Sequence, residues 1–215
     1  CMLLLEHDAK TLLGRYGLAI PSGILVKAGD RVTDTGLPNG PWTVKAQAAA
    51  GGRGKAGGIR TCEDRAQLES TVQELCSQLI NGVPVPGCRI ESNICTTREC
   101  YLSLSLNPIT GLVDILVSPA GGVEIESSVS KGGALRRASA LPDSTAIVTA
   151  GTPLLNALEA DKQTLATVLE RLADAFLELE ALLVEINPLF ILPDQSCLLG
   201  DAKVILDANA FTRQP

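Results

Sequence analysis

The run that most limits the fold is Val44-Lys45-Ala46-Gln47-Ala48-Ala49-Ala50-Gly51-Gly52-Arg53-Gly54-Lys55-Ala56-Gly57-Gly58, in which five of the last eight residues are glycine. Residues Trp42 to Ala46 read as a strand that leads straight into the glycines. Backbone N–H groups that no side chain obstructs cradle phosphate oxygens well, and glycine tolerates the positive φ such cradles need. Arg53 and Lys55 add cationic donors, and Lys45 sits at the end of the strand. A flexible exposed loop with two solvated cations has the same composition, so the segment alone does not choose between the two. It is not a Walker loop, because Gly-Lys is nowhere followed by Ser or Thr.

The rest of the chain reads as helices and strands in alternation. From Leu5 to Tyr16, Leu5, Ala9, Leu12, Leu13 and Tyr16 share one helical face, and Gly17 is a natural stop. A helix is expected from Glu63 to Ile80, on Leu68, Val72, Leu75 and Leu79. The longest periodic segment, from Asp161 to Leu183, carries Leu165, Val168, Leu169, Leu172, Phe176, Leu179 and Leu183 as one stripe. Strands are expected at Ile24 to Val26, Arg89 to Ile94, Tyr101 to Leu106, Leu112 to Val117, Val184 to Ile191 and Cys197 to about Ala202. Asn107-Pro108-Ile109-Thr110-Gly111 between two apolar runs signals a hairpin. The pattern predicts an α+β protein with largely antiparallel sheets.

Two further groups of polar residues stand out. Glu185-Ile186-Asn187-Pro188 precedes Asp201 by a Pro193-Asp194-Gln195-Ser196 turn, which would fold two strands back and set Asn187 beside Asp201. Two hard oxygen ligands together with nucleotide phosphates are what Mg²⁺ commonly accepts; a surface hairpin with solvated polar residues gives the same pattern. Glu91 and Glu99, around Ser92 to Arg98, could bracket an adenosine, although by pattern alone they read as solvent-facing carboxylates.

Composition excludes several functions. A net charge of −6 argues against a general nucleic-acid binder. The single histidine, His7, leaves no room for a multi-His metal site. Aromatics are 3% of the residues, so the core must be aliphatic. No apolar run approaches the roughly 18 residues that span a bilayer, and Cys1 to Lys10 is too short and too acidic for a signal peptide. Seven cysteines, an odd number with no CxxC pair, read as reduced thiols in a cytoplasmic protein.

Taken in order, these motifs resemble the β subunits of succinyl-CoA synthetase, ADP-forming acid–thiol ligases with an ATP-grasp fold. Lys45 to Gly58 resembles their VKxQxxxGGRGKAGG segment, Gly121-Gly122-Val123-Glu124-Ile125-Glu126 their GGVEIE, and Glu185 to Leu189 their EINPL. Ala208 to Pro215 looks like GNALFRQP, and Glu6, Ala9, Lys10, Leu12 and Tyr16-Gly17 fit the family's N-terminus. The resemblance implies one ATP-grasp module over residues 1–215, with a smaller lobe of about 20–95 and a larger lobe of about 1–19 plus 96–215. By the same resemblance Lys45, Arg53, Gly52 and Gly54 contact the phosphates of ATP or ADP (or GTP or GDP), with Glu91, Ile94 and Glu99 on the adenosine side. Asn187 and Asp201 hold Mg²⁺. Gly121, Gly122, Val123 and Glu185 face a phosphohistidine carried by an α-type, CoA-binding partner subunit, and no nucleic acid or membrane is implied. Glu185 and Arg53 take the catalytic roles. The sequence departs from the family at Ala49, where histidine is common, and around Gly200 to Lys203; it ends at Pro215, where the family continues into a second domain. Rival readings are a non-catalytic or regulatory nucleotide-binding subunit and a ligase for malate, citrate or acetate.

Overall fold

The computed structural model describes residues 1–95, 98–122, 135–210 and 212–213. In chain order the elements are β1 (Met2–Leu3), α1 (Glu6–Arg15), β2 (Gly23–Lys27), β3 (Trp42–Ala46), β4 (Ile59–Cys62), α2 (Arg65–Cys76), β5 (Leu79–Ile80), β6 (Val83–Pro84) and β7 (Gly87–Ser92). They continue with β8 (Arg98–Leu106), β9 (Val113–Ser118), β10 (Arg136–Ala140), α3 (Ser144–Leu155), α4 (Lys162–Glu178), β11 (Ala181–Ile191), β12 (Cys197–Leu199) and β13 (Ala202–Leu206). The chain divides into two compact units, Cys1–Ile20 with Thr96–Pro215, and Pro21–Cys95. Every strand pairing described is antiparallel, as the sequence predicts.

The unit Pro21–Cys95 is built on a four-stranded sheet in the order β2-β7-β3-β4. Helix α2 buries Leu68, Val72 and Leu75, three residues at helical spacing, in one cluster with Val44, Ala46, Cys88 and Ile90 of the sheet. The Asp64 carboxylate accepts from the Gln67 N–H at 2.9 Å and caps the helix. The helix ends at Cys76, short of the expected Ile80: Leu79 is 65% exposed while Ile80 is buried. At that point the chain has changed from helical to strand alternation.

The other unit carries the larger sheet, ordered β1-β13-β11-β8-β9-β10, with β12 also paired to β11. The expected hairpin around Asn107 to Gly111 joins β8 and β9, with Leu106 opposite Val113. Helix α4 lays Leu165, Leu169, Leu172 and Phe176 onto the sheet, where they join Leu102, Leu104, Ile115, Val184, Ile186 and Val204. Burying each such side chain contributes roughly 1.5–3 kcal/mol, which is how an aliphatic core suffices. The helix stops at Glu178, and Glu180 turns the chain through the left-handed region at φ +49°. Leu183 therefore belongs to β11 and not to the helix. The expected strand from Cys197 to Ala202 is two strands, β12 and β13, broken at Gly200 and Asp201. Helix α1 also differs from expectation: it buries Glu6 and Lys10 with Ala9 and Leu13, while Leu12 and Tyr16 are half-buried. No helix among the described residues is long and apolar enough to cross a membrane.

All seven cysteines are free thiols, with Cys62, Cys88, Cys100 and Cys197 buried and Cys1 and Cys95 exposed. Burial pushes both Cys100 and Cys197 up to about 11. Because their folded pKa lies above the unfolded value, the stability they contribute is full below pH 9 and is lost as pH rises through 11.

Two outcomes follow from this packing. Leu169→Ala lowers unfolding free energy by about 2–5 kcal/mol, while Leu79→Ser changes it by no more than about 0.5 kcal/mol, both read from urea titrations. Iodoacetamide at pH 8 modifies Cys1 and Cys95 first and Cys100 and Cys197 only in denaturant, and the denaturation midpoint falls between pH 9 and pH 11.

Candidate functional site

The glycine-rich segment is a folded loop. Strand β3 ends at Ala46 and β4 begins at Ile59 opposite Lys45, so residues 47–58 must leave and return to neighbouring strands. Ala46 N–H donates to the Gly58 carbonyl, Gly58 N–H to the Arg53 carbonyl and Ala56 N–H to the Gly52 carbonyl. Gly52 sits at φ +70°, a conformation that a side chain would strain. Arg53 is buried, and its guanidinium donates to the Ala46 carbonyl at 3.0 Å. Gly51, Gly52, Gly54 and Lys55 are exposed, which presents the glycine backbone and one ammonium to solvent. Of the two sequence readings, the loop of two solvated cations is therefore wrong for Arg53, which folds back onto the strand that precedes it.

The same sheet holds the buried charges of Lys45, Arg89 and Glu91. Lys45 pairs with Arg89 in the register, and Glu91 lies two residues along β7, on the same face as Arg89. Lys45 Nζ is 2.6 Å from Glu91 Oε1, and Arg89 Nε is 2.7 Å from Glu91 Oε2. Arg89 also donates to the Pro21 carbonyl at 2.7 Å, and Gln47 Nε2 donates to the Lys45 carbonyl at 3.0 Å. Glu91 thus corrects the pattern-based expectation of a solvent-facing carboxylate: it bridges two cations inside the unit. Glu91 holds both cations, one on each carboxylate oxygen. Ile94 is half-buried beyond the end of β7, next to Asn93, whose Oδ1 accepts from the Thr43 hydroxyl at 3.0 Å.

The second group of residues lies on the larger sheet. Pro188 falls within β11, and because proline has no N–H to give, the ladder to β8 shifts register between Ile186 and Leu189. Asn187 is freed at that shift. Its Oδ1 accepts from the Gly122 N–H at 2.5 Å and its Nδ2 donates to the Gly122 carbonyl at 3.3 Å. The Asn187 N–H reaches the Asp201 carbonyl at 3.2 Å, so the structure does bring these two residues to neighbouring strands. Asp201 Oδ1 accepts from the Ala202 N–H at 2.7 Å. Gly200 has no room for a side chain: a Cβ there would stand 2.6 Å from the Phe190 ring and 2.8 Å from the Pro188 carbonyl. Both Asn187 and Asp201 are partly exposed. One carboxylate and one carboxamide oxygen fit a hard divalent cation that keeps waters and substrate phosphates in its remaining positions.

Glu185 is half-buried on β11, and the Tyr101 hydroxyl donates to its Oε2 at 3.0 Å. Burial holds the Tyr101 phenol up at about 12, so the donor keeps its proton at any working pH. Glu99 is exposed on β8, with its carbonyl bonded by the Gly121 N–H at 2.8 Å, and a Cβ on Gly122 would meet its Oε2 at 2.7 Å. Glu99 thus belongs with Gly121, Gly122 and Asn187, whereas Glu91 belongs with Lys45. Val123 lies outside the described residues. Sequence reasoning missed Arg89 and Tyr101. Arg89 was findable, since it shares a strand face with Glu91; the bond between Tyr101 and Glu185 joins two strands and has no local signal.

The family described as the ATP-grasp domain matches residues 3–191. Over its whole length the chain is 31% identical to the succinate–CoA ligase [ADP-forming] subunit beta of Pasteurella multocida, of which it spans 58%. It is 36% identical over 230 residues to the corresponding subunit of Acidithiobacillus ferrooxidans, of which it spans 59%. The chain therefore covers less than two thirds of these curated relatives. Among solved structures, the dinucleotide-forming acetyl-coenzyme A synthetase 1 of Ca. Korarchaeum cryptofilum, in complex with coenzyme A and Ca-AMPCP, superposes with a TM-score of 0.73 at 17% identity over 95% of this chain and 93% of that one. ATP citrate lyase from Methanothrix soehngenii gives a TM-score of 0.75 at 19% identity over 98% of this chain and 52% of that one. At such identities these two likenesses speak for the fold. With the family match covering most of its length, the chain belongs to the ATP-grasp domain family.

Proposed function

We propose that this chain is the nucleotide-binding part of an ADP-forming acid–CoA ligase of the succinate–CoA ligase type, and that it transfers phosphate between ATP or ADP and a phosphohistidine on an α-type partner subunit. The observation that carries the reading is the buried trio Lys45, Glu91 and Arg89 on the sheet whose strand β3 runs into the glycine-rich loop. Cationic side chains at the end of that strand, followed by exposed glycines, suit a polyphosphate better than they suit any neutral ligand.

Phosphoryl transfer is mostly positioning and neutralisation of charge. In this reading Lys45 and the backbone of Gly52 and Gly54 bind phosphate oxygens, and Arg53 swings from the Ala46 carbonyl to join them. Glu91 holds Lys45 in place, while Ile94 and Glu99 contact the adenosine. Asn187 and Asp201 hold Mg²⁺, which when bound neutralises phosphate charge. Glu185 receives the histidine of the partner, with Gly121, Gly122 and Val123 alongside, and Tyr101 fixes the direction of its carboxylate through the bond at 3.0 Å. His7 sits on α1, apart from this set of residues in the sequence, and takes no part.

Isothermal titration with Mg-ADP tests the nucleotide assignment. The chain binds, Lys45→Met weakens binding about 10-fold or more, the equivalent of about 1.4 kcal/mol, and Asp201→Ala removes the dependence on Mg²⁺. Absence of binding overturns the reading. With the α-type subunit present, Tyr101→Phe slows phosphohistidine formation by about 10- to 100-fold, the worth of a hydrogen bond to a charged group, and leaves Mg-ADP affinity unchanged. Binding without any phosphohistidine in the wild type would make the chain a regulatory nucleotide-binding subunit instead.

A further inference from the structure

Lys10 is fully buried on α1, and its ammonium is 2.8 Å from Glu6 Oε1 one turn earlier, itself buried. The same ammonium donates at 2.7 Å to the carbonyl of Gly200, on the turn between β12 and β13. A buried ion pair is a poor device for stability alone, because apolar side chains of similar volume usually do as well or better. What the pair achieves here is the capture of one backbone carbonyl in a remote turn, and the residue after that carbonyl is Asp201.

That turn is held from every side. Gly200 N–H donates to the Pro188 carbonyl at 2.9 Å, and the Asp201 carbonyl accepts from the Asn187 N–H at 3.2 Å. These bonds come from β11. The ammonium adds a bond from a helix. It fixes the plane of the Gly200–Asp201 peptide, and so the angle at which the Asp201 carboxylate leaves the sheet. Glu6 cancels the lysine charge, so that a strong donor acts beside the proposed cation ligand without repelling a cation.

We infer that Lys10, neutralised by Glu6, is a positioning residue that orients Asp201 toward a divalent cation. The inference rests on the reading of Asp201 as a metal ligand. It assigns to the N-terminal helix a role in metal affinity, although that helix contributes no ligand.

The test uses Mn²⁺ as probe, followed by electron paramagnetic resonance in the ADP-loaded chain, beside ADP affinity in EDTA and the thermal midpoint. Removing one charge alone would strand the other, so the principal variant is Glu6→Gln with Lys10→Met, which keeps volume and leaves both sites neutral. It is expected to lose about 10-fold or more in Mn²⁺ affinity, the usual effect of removing a group that orients a ligand, with metal-free ADP affinity and thermal midpoint near wild type. Combined with Asp201→Ala it adds little to the loss from Asp201→Ala alone. Unchanged Mn²⁺ affinity in the Glu6→Gln, Lys10→Met variant, while Asp201→Ala weakens it, overturns the positioning role and spares the metal assignment. Unchanged affinity in Asp201→Ala overturns the metal assignment and this inference with it. If the double variant fails to fold, Lys10→Arg serves as the second variant: partial retention of Mn²⁺ affinity supports the role, and full retention with a displaced guanidinium overturns it.

Discussion

A proline in the middle of a central strand sets the geometry of the larger sheet. Strand β11 is paired along both edges, with β8 on one side and β12 and β13 on the other. Pro188 cannot donate to either ladder, so pairing has to give way there. It does so twice: the register with β8 shifts between Ile186 and Leu189, and the neighbouring strand breaks into β12 and β13 at Gly200 and Asp201. The Pro188 carbonyl then takes the Gly200 N–H, and Gly200 is the one residue type that fits between Pro188 and Phe190. Asn187 and Asp201 are joined by a backbone hydrogen bond where both strands are interrupted at the same level.

Two buried ion-pair arrangements among the described residues differ in kind. Glu6 and Lys10 are one to one, and their surplus donor goes to a backbone carbonyl. Lys45, Glu91 and Arg89 are one anion to two cations. A neutral pair positions protein and leaves the local potential almost unchanged. A carboxylate that holds two cations fixes both in place where water screens little, so that their geometry is set before any anion approaches. The two arrangements look alike as buried ion pairs but serve opposite ends, one turned inward and one outward.

What could be read from the sequence follows from how local each cause is. The stripe of α4 and the hairpin between β8 and β9 depend on residues within a few positions, and the sequence shows both. Helix α3 was not foreseen: Ser144 to Leu155 contains Thr145, Thr149, Thr152, Gly151 and Pro153, all weak helix formers, and it is held by its Asp143 cap and by Ile147 and Leu155 in the core. The edge strand β10 carries Arg136 and Arg137 on exposed positions, which hides its strand character and also blunts the sheet edge. Glu6 and Lys10 lie off the apolar face that the spacing of α1 gives; their burial goes with a bond to a carbonyl 190 residues away. In the candidate site the identities of Lys45, Arg53, Asn187 and Asp201 were legible as chemistry. The burial of Glu91 and the bond from Tyr101 to Glu185 were not, since each is made across strands.

The same distinction explains why the glycine loop and the acidic turn carry different weights. A loop of glycines is a permissive feature: it allows phosphate to approach but does not require it, and the Arg53 guanidinium closes the loop onto the Ala46 carbonyl. The buried charge of the same sheet is less permissive. Ionised groups are buried only where partners compensate them, and here Glu91 bridges Lys45 and Arg89. The stronger argument for a polyphosphate therefore lies in Lys45, Glu91 and Arg89, which sequence pattern alone would have left scattered on two strands, and the glycines follow from it as the means of access.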